Sequence, residues 1–255
     1  CVVSYIEYLT DSTIKTNTLR RKIASLKVFY SYLMTQNLIT ENPFNQLRFQ
    51  FRAEKTLPKT IPHDSLKILY TYLKQKVVSS KTVYQKQKAE RNLLIISLLL
   101  STGIRISELC HIQIKDINLT EQTLQILGKG KKERIIFLGD ERTFQLLKAY
   151  ISCYCSYLDD YLFPGKSPQK PLTEQSVRLL LKTAKDQTRL TTTITPHMFR
   201  HSFATMLLDN DVDIRYIQQI LGHSSISITQ IYTHVSQSKQ KEILSSYNPI
   251  ASIYF

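Results

Sequence analysis

The chain has 255 residues, 42% of them apolar, which is enough to bury a sizeable core and long enough for two domains. Its formal net charge of +14 and isoelectric point near 9.6 match the footprint of a protein that neutralises phosphates. Four cysteines without framework spacing, Cys1, Cys110, Cys153 and Cys155, argue against a disulfide scaffold and for a reducing, intracellular setting. The longest apolar run, Leu93 to Leu100 broken only by Ser97, falls short of the roughly 20 residues a membrane span needs and reads as a buried helix. No basic leader precedes an apolar stretch, and a start at Cys1 reads as a fragment of a longer chain, expected in a cytoplasmic protein.

From Asn17 to about Gln36, Leu19, Ile23, Leu26, Phe29, Tyr30 and Leu33 recur at three- and four-residue steps, with Arg20, Arg21, Lys22 and Lys27 between them. This predicts an amphipathic helix with a basic outer face. Thr40-Glu-Asn-Pro43 reads as a loop entering a short helix. Between Arg48 and Pro62 periodicity disappears, and Arg52, Lys55 and Lys59 with Pro58 and Pro62 make an extended cationic connector. The expected organisation is a helical domain over 1–53, a linker over 54–62 and a second domain over 63–255.

The second domain opens with a helix carrying Leu66, Leu69, Tyr70 and Leu73, capped by Asp64 or Ser65. A lysine-rich polar segment (Lys76, Lys81, Lys86, Lys88) leads into the buried helix, which turns at Gly103. A further helix begins over Ile106 to Leu109, and Ile112, Ile114 and Ile117 lead into a short β region. Leu124–Leu127 and Arg134–Leu138, separated by Gly128-Lys-Gly-Lys-Lys-Glu133, predict a hairpin with a basic tip. Beyond Asp140 the pattern is helical, with breaks at Pro164, Pro168, Pro171 and Pro196. A helix over Asp211–Leu221 stops at Gly222, and another starts at Ser225 or Ser227 with Ile228, Ile231, Tyr232 and Val235 on one face. The fold class is mainly α with a small β-sheet or hairpin.

Thr195-Pro-His-Met-Phe-Arg-His201, Leu221-Gly-His223, Tyr232 and Thr102-Gly-Ile-Arg-Ile-Ser-Glu108 hold residues suited to attack on a phosphodiester. Negative charge grows on the phosphoryl oxygens in the transition state, so fixed cations and donors must face them. Arginine binds two such oxygens and stays protonated, which makes Arg105 and Arg200 the candidates. The plainer reading of Arg105 is an ion pair with Glu108, three residues on. His197 shares a helix face with Arg200, whereas a zinc reading of His197 and His201 lacks the carboxylate of His-Glu-x-x-His and meets a cation instead. A tyrosine phenolate, for which Tyr232 is the candidate, would conserve bond energy in a phosphotyrosine with neither metal nor other cofactor. Tyr232 is otherwise one packed aromatic among fifteen tyrosines. Lys129, between two glycines at the hairpin tip, could protonate a leaving 5′ oxygen, and its plainer role is a solvated phosphate contact.

Ser101-Thr-Gly-Ile-Arg-Ile-Ser-Glu-Leu109, Gly128-Lys-Gly-Lys-Lys-Glu-Arg134, Thr195-Pro-His-Met-Phe-Arg-His-Ser-Phe-Ala-Thr205 and the stretch from Ile220 to His234, in this order, resemble the tyrosine recombinase (phage integrase) family, most closely its Xer-like branch. The resemblance implies two domains, a helical core-binding domain and a mixed α/β catalytic domain, clamped round duplex DNA. It implies a phosphate pocket of Arg105, Lys129, His197, Arg200 and His223, with Tyr232 as the nucleophile of a 3′-phosphotyrosyl link. It also implies a homotetramer on two specific sites, exchange through a Holliday junction, and a C-terminal segment that packs on a neighbouring subunit. That segment here keeps Ile243, Leu244, Ile250, Ile253, Tyr254 and Phe255. Arg20, Arg21, Lys27, Arg52, Lys55, Lys59, Lys131 and Lys132 are the expected DNA contacts. Against the family pattern, the N-terminal block is short, as though truncated by a helix, and the Lys76–Lys88 stretch is long. A type IB topoisomerase-like nicking and resealing enzyme is the rival with the same chemistry, and a noncatalytic DNA-binding regulator is the rival of another class. Resolution of chromosome dimers and movement of a mobile element both fit.

Overall fold

The structure, a computed structural model, describes residues 2–45, 47, 59–128, 133–155, 157–167, 169–222 and 237–254. They fall into two compact units, 1–57 and 58–255, each with its own apolar core.

In the first unit α1 (Val2–Asp11) pairs with α2 (Thr16–Thr35), and Ile6, Leu9, Leu19, Ile23 and Phe44 are buried between them. The helix α1 is not evident from the sequence pattern, because its polar positions are few and Tyr5 and Tyr8 are exposed. The expected apolar face of α2 is narrower than its spacing suggests: Phe29 is 51% exposed, together with Val28 and Tyr32. Pro43 lies in a turn rather than a helix, held by Asn42 Oδ1 accepting from the Phe44 amide at 3.0 Å.

The second unit is built round α4 (Val83–Thr102), whose residues from Leu93 to Thr102 are all buried. The Thr82 hydroxyl caps its start, and Gly103, at φ 61°, turns the chain at its end. A side chain there would meet the Phe203 ring and Leu221, so the close approach of two neighbouring helices requires glycine. Around α4 pack α3 (His63–Val78), α6 (Glu141–Tyr154) and α8 (Pro196–Asp209). Neither Asp64 nor Ser65 caps α3; Pro62 precedes the helix and Ser65 is buried within it. The lysine-rich segment is helical at both ends, with Lys76 over the Tyr72 ring and Lys86 facing Glu90.

α5 (Ile106–Cys110) leads through a 3₁₀ turn to a three-stranded antiparallel sheet, β1 (Ile117–Asn118), β2 (Thr123–Leu127) and β3 (Glu133–Phe137), in that order. Leu124 lies opposite Ile136, and Ile126 lies opposite Arg134. The hairpin strands thus match expectation, and the two-residue β1 is an addition. α7 (Glu174–Gln187) and α9 (Ile214–Leu221) are further helices of this unit, α9 starting at its Asp213 cap and stopping at Gly222 with φ 65°. Asp211 lies outside α9, in the left-handed region at φ 59°.

The C-terminal segment, expected to pack on a neighbouring subunit, lies against its own unit in the single chain. Past α10 (Gln237–Ser246), a 3₁₀ turn over Pro249–Ile253 returns to the core of its own unit, and Ile243, Leu244, Ile250 and Ile253 are buried there. Asn248 Nδ2 donates to the Ser101 carbonyl at 3.1 Å, and Gly139 leaves room for the backbone at Leu244. The turn at Asn248 brings Ile250 and Ile253 over α4, while α10, which carries Ile243 and Leu244, lies against β3.

Candidate active site

Three loops and helix ends converge beside α4. Arg105 follows the Gly103 turn as the N-cap of α5, Arg200 projects from the first turns of α8, and Gly222 ends α9. Thr195 caps α8 and Pro196 takes its first position, so the helix begins where the Thr195–His201 motif begins.

Arg200 is 7% exposed, and its Nη1 donates to the Gly103 carbonyl at 2.9 Å while its Nη2 donates to the Leu221 carbonyl at 2.6 Å. Arg105 Nη2 donates to the next carbonyl, that of Gly222, at 3.4 Å. The two arginines of the sequence constellation therefore meet at consecutive peptide groups, immediately before His223. Arg105 also pairs with Glu108, as the plainer reading of it required: Nη1 donates to Oε1 at 2.9 Å and its backbone amide to Oε2 at 2.8 Å. The ion pair leaves a third of the Arg105 side chain open to solvent.

Glu108, the expected partner of Arg105, and Arg134, which the sequence reading did not single out, complete the cluster. Glu108 has a side chain only 5% exposed, and Arg134 of β3 grips it with two bonds at 2.9 and 2.8 Å. Burial alone would raise the Glu108 carboxyl, but the bonds from Arg134 and from the Arg105 backbone outweigh it and bring it down to about 2. The signal for Arg134 is present in the strand period. Ile136 faces the core, so the residue two before it must face the same way.

Electrostatics distinguishes this cluster from an ordinary buried ion pair. Three guanidinium groups gather here with one carboxylate among the described residues: Arg105 and Arg134 bond Glu108, and Arg200 bonds only to carbonyls. Burial, then the Arg105 charge beside it, pushes the Arg200 guanidinium down to about 10. Such an excess of desolvated cation favours an anion as the missing partner. An open cleft of about 1230 Å³ lies against Arg105, Glu108, Arg134, Gly222 and the β2 residues Gln125 to Leu127.

His197 is exposed at the second position of α8. His201 is held below the ordinary imidazole range by partial burial, then by His197 and Arg200 nearby. Arg20, Arg21 and Lys27 are exposed on α2, Lys27 with its Nζ 5.9 Å from the centre of the Phe44 ring, and Lys59 is exposed at the start of the second unit. Lys129, Lys131, Lys132, His223, Tyr232, Arg52 and Lys55 lie outside the described residues. Among the described residues no helix is long and apolar enough to cross a membrane.

Comparison with known proteins agrees with this geometry. Residues 59–239 match the phage integrase family. A tyrosine recombinase of Agathobacter rectalis is 48% identical over 94% of this chain and 79% of its own length. Tyrosine recombinase XerC of Pediococcus pentosaceus is 34% identical over 96% and 80%. Among solved structures, the XerH site-specific recombinase bound to its difH substrate before cleavage shares the fold, with a TM-score of 0.68, 24% identity, and coverage of 96% of this chain and 69% of that one. XerA recombinase aligns with a TM-score of 0.56 at 27% identity, covering 97% and 89%. The chain thus belongs to the phage integrase family, as a Xer-like tyrosine recombinase.

Proposed function

We propose that this site-specific recombinase cleaves duplex DNA by attack of the Tyr232 oxygen on the scissile phosphorus. The new bond joins phosphorus to the tyrosine oxygen, the bond to the 5′ oxygen breaks, and a 3′-phosphotyrosyl link remains. In this reading Arg105 and Arg200 hold the nonbridging oxygens, and His223 adds a hydrogen bond. His197 takes the tyrosine proton, and Lys129 supplies one to the departing 5′ oxygen. A 5′ hydroxyl from a second site then reverses the chemistry and reseals the strand, so no external energy source is consumed.

The observation that carries this reading is the convergence of Arg105 and Arg200 on the carbonyls of Gly222 and Leu221, with too little negative charge among the described residues to balance them. The XerH structures were obtained with difH DNA before and after cleavage. By likeness to them, the partner here is DNA carrying a recombination site. In the same reading residues 1–53 form the core-binding domain, 54–62 the linker and 63–255 the catalytic domain, with Arg20, Arg21, Lys27, Arg52, Lys55, Lys59, Lys131 and Lys132 on the DNA backbone. The working form is a cytoplasmic homotetramer on paired sites that passes through a Holliday junction.

The test is capture of nicked duplexes carrying a randomised segment, with recovery and sequencing of strands covalently held under denaturing conditions. Wild-type protein should enrich one sequence, and Tyr232→Phe should hold none. An adduct that persists in Tyr232→Phe overturns the assignment of the nucleophile. Relaxation of supercoiled plasmids without sequence preference would favour the topoisomerase-like alternative.

A further inference from the structure

Arg134 occupies a position where the strand pattern calls for an apolar side chain. It lies opposite Ile126 on β2, two residues before the buried Ile136, and its own side chain is only 14% exposed. Desolvating a guanidinium there is costly unless its bonds are well made. Both Nη atoms reach Glu108, and each oxygen of that carboxylate is shared. Oε1 accepts from Arg134 Nη1 and Arg105 Nη1, and Oε2 accepts from Arg134 Nη2 and the Arg105 amide.

The same side chain also packs on the turn that ends α9. A methyl group added at Gly222 would come within 2.9 Å of Arg134 Cδ and 3.1 Å of its Nε. Gly222 is the residue whose carbonyl accepts from Arg105 Nη2. Arg134 thus touches both supports of the Arg105 side chain, the carboxylate on one side and the carbonyl-bearing turn on the other.

We infer that Arg134 is a positioning residue for the cleavage reaction: it fixes Glu108 and the Gly222 turn, and through them aims Arg105 at the scissile phosphate. This rests on the phosphate-binding reading of the cluster. Three elements distant in sequence, α5, β3 and the end of α9, are joined by one side chain whose two amino groups are both taken by Glu108, while its buried Nε has no partner among the described residues. Misplacing a phosphate-binding group by about 1 Å can cost about 100-fold in rate.

The experiment uses the full chain and the site-bearing nicked duplex recovered as above, in two forms. One carries the natural phosphate at the scissile position, and the other a methylphosphonate, which lacks the nonbridging charge an arginine would neutralise. Single-turnover cleavage is measured at saturating protein, with DNA affinity and melting temperature in parallel. Arg134→Gln should slow cleavage of the phosphate about 100-fold and the methylphosphonate far less, the pattern Arg105→Ala should also give, with DNA affinity close to wild type. Equal slowing on both substrates would mean general damage to the fold and overturns the inference. If Arg134→Gln does not fold, Arg134→Lys keeps the charge without the two-pronged bond, and a substrate ratio equal to that of wild type overturns it as well. Cleavage of the phosphate at the wild-type rate by a Tyr232-dependent route defeats the role of Arg134 alone, whereas an adduct retained in Tyr232→Phe defeats the underlying mechanism.

Discussion

Arg200 Nη2 donates to the Leu221 carbonyl at 2.6 Å across 21 residues of sequence, tying the first turns of α8 to the last turn of α9. Its other amino group holds the Gly103 carbonyl, at the left-handed turn that ends α4. One buried cation therefore fixes the relative positions of the helix that carries it, the turn before Arg105 and the turn before His223.

That triple tie makes Arg200 intolerant of lysine. A lysine keeps the charge but presents a single ammonium centre, which cannot span both carbonyls in the geometry of the guanidinium fork. Arg200→Lys should lower stability by about 1 to 3 kcal/mol, the cost of a buried acceptor left unpaired, and should nearly abolish adduct formation. Urea unfolding followed by circular dichroism, together with the suicide-substrate assay, checks this. Wild-type unfolding with wild-type cleavage would show that the two carbonyl bonds carry no weight.

The meeting of Arg105 and Arg200 is readable in the sequence, and the reasons other features are not are physical. Arg105 and Arg200 stand out because glycine and proline punctuation places them at helix starts, where the backbone is fixed locally. Arg134 does not, because a charged residue at the end of a strand reads as solvated; only its register opposite Ile126 shows that it points inward. The direction of the C-terminal segment is hidden for a related reason. Hydropathy says that Ile250 and Ile253 must be covered, but not by which surface, and the turn at Asn248 decides that. The helix α1 is obscured because its exposed Tyr5 and Tyr8 blur the apolar stripe that Ile6 and Leu9 form.

The shared carboxylate also sets an acid limit. Glu108 titrates at about 2 in the folded chain against 4.5 when unperturbed, so its contribution is fully present above the unfolded value and is lost as pH falls towards the folded one. The gap corresponds to about 3 kcal/mol at neutral pH. Glu108→Gln should be less stable than wild type by about that amount at neutral pH, and the difference should close as pH falls from about 4.5 towards 2. Denaturant titrations over that range measure it. A constant gap at every pH would show that the charge of Glu108 is not what the two arginines require.

The basic face of α2 makes a prediction about binding rather than chemistry. Arg20 and Lys27 are seven residues apart, about 10 Å along the helix and on one side of it, a spacing that lets both reach one phosphate backbone. Replacing Arg20, Arg21 and Lys27 by glutamine should weaken DNA binding across sequences and reduce the salt dependence. The slope of log K against log salt should fall by about 0.9 for each phosphate that is no longer neutralised. Fluorescence anisotropy across a range of salt concentrations reads this directly. An unchanged slope would remove α2 from the DNA interface.

Tyr254 is the clasp of the C-terminal segment. Its hydroxyl donates to Asp140 Oδ2 at 2.6 Å, and the same oxygen accepts the Thr143 amide at 2.7 Å as the cap of α6. The ring packs edge-on to Tyr70 at 5.3 Å between centroids, with the Arg142 guanidinium 4.5 Å from its centre. Burial, then the bond to Asp140, raises the Tyr254 phenol well above the usual tyrosine range, which keeps the hydroxyl a donor at neutral pH. Tyr254→Phe keeps the ring contacts and the helix cap and removes the bond to the Asp140 carboxylate together with the contact to the Thr143 hydroxyl at 3.2 Å, which should cost about 1.5 to 3 kcal/mol. The loss should be local: amide hydrogen exchange should quicken over Ile250 to Ile253 while the amides of α4 between Leu93 and Leu100 keep their protection. Tyr254→Ala, which also gives up the ring, should release the segment further. Uniform acceleration over both regions would show instead that the segment unfolds only with the whole unit, and that this hydroxyl holds nothing separately.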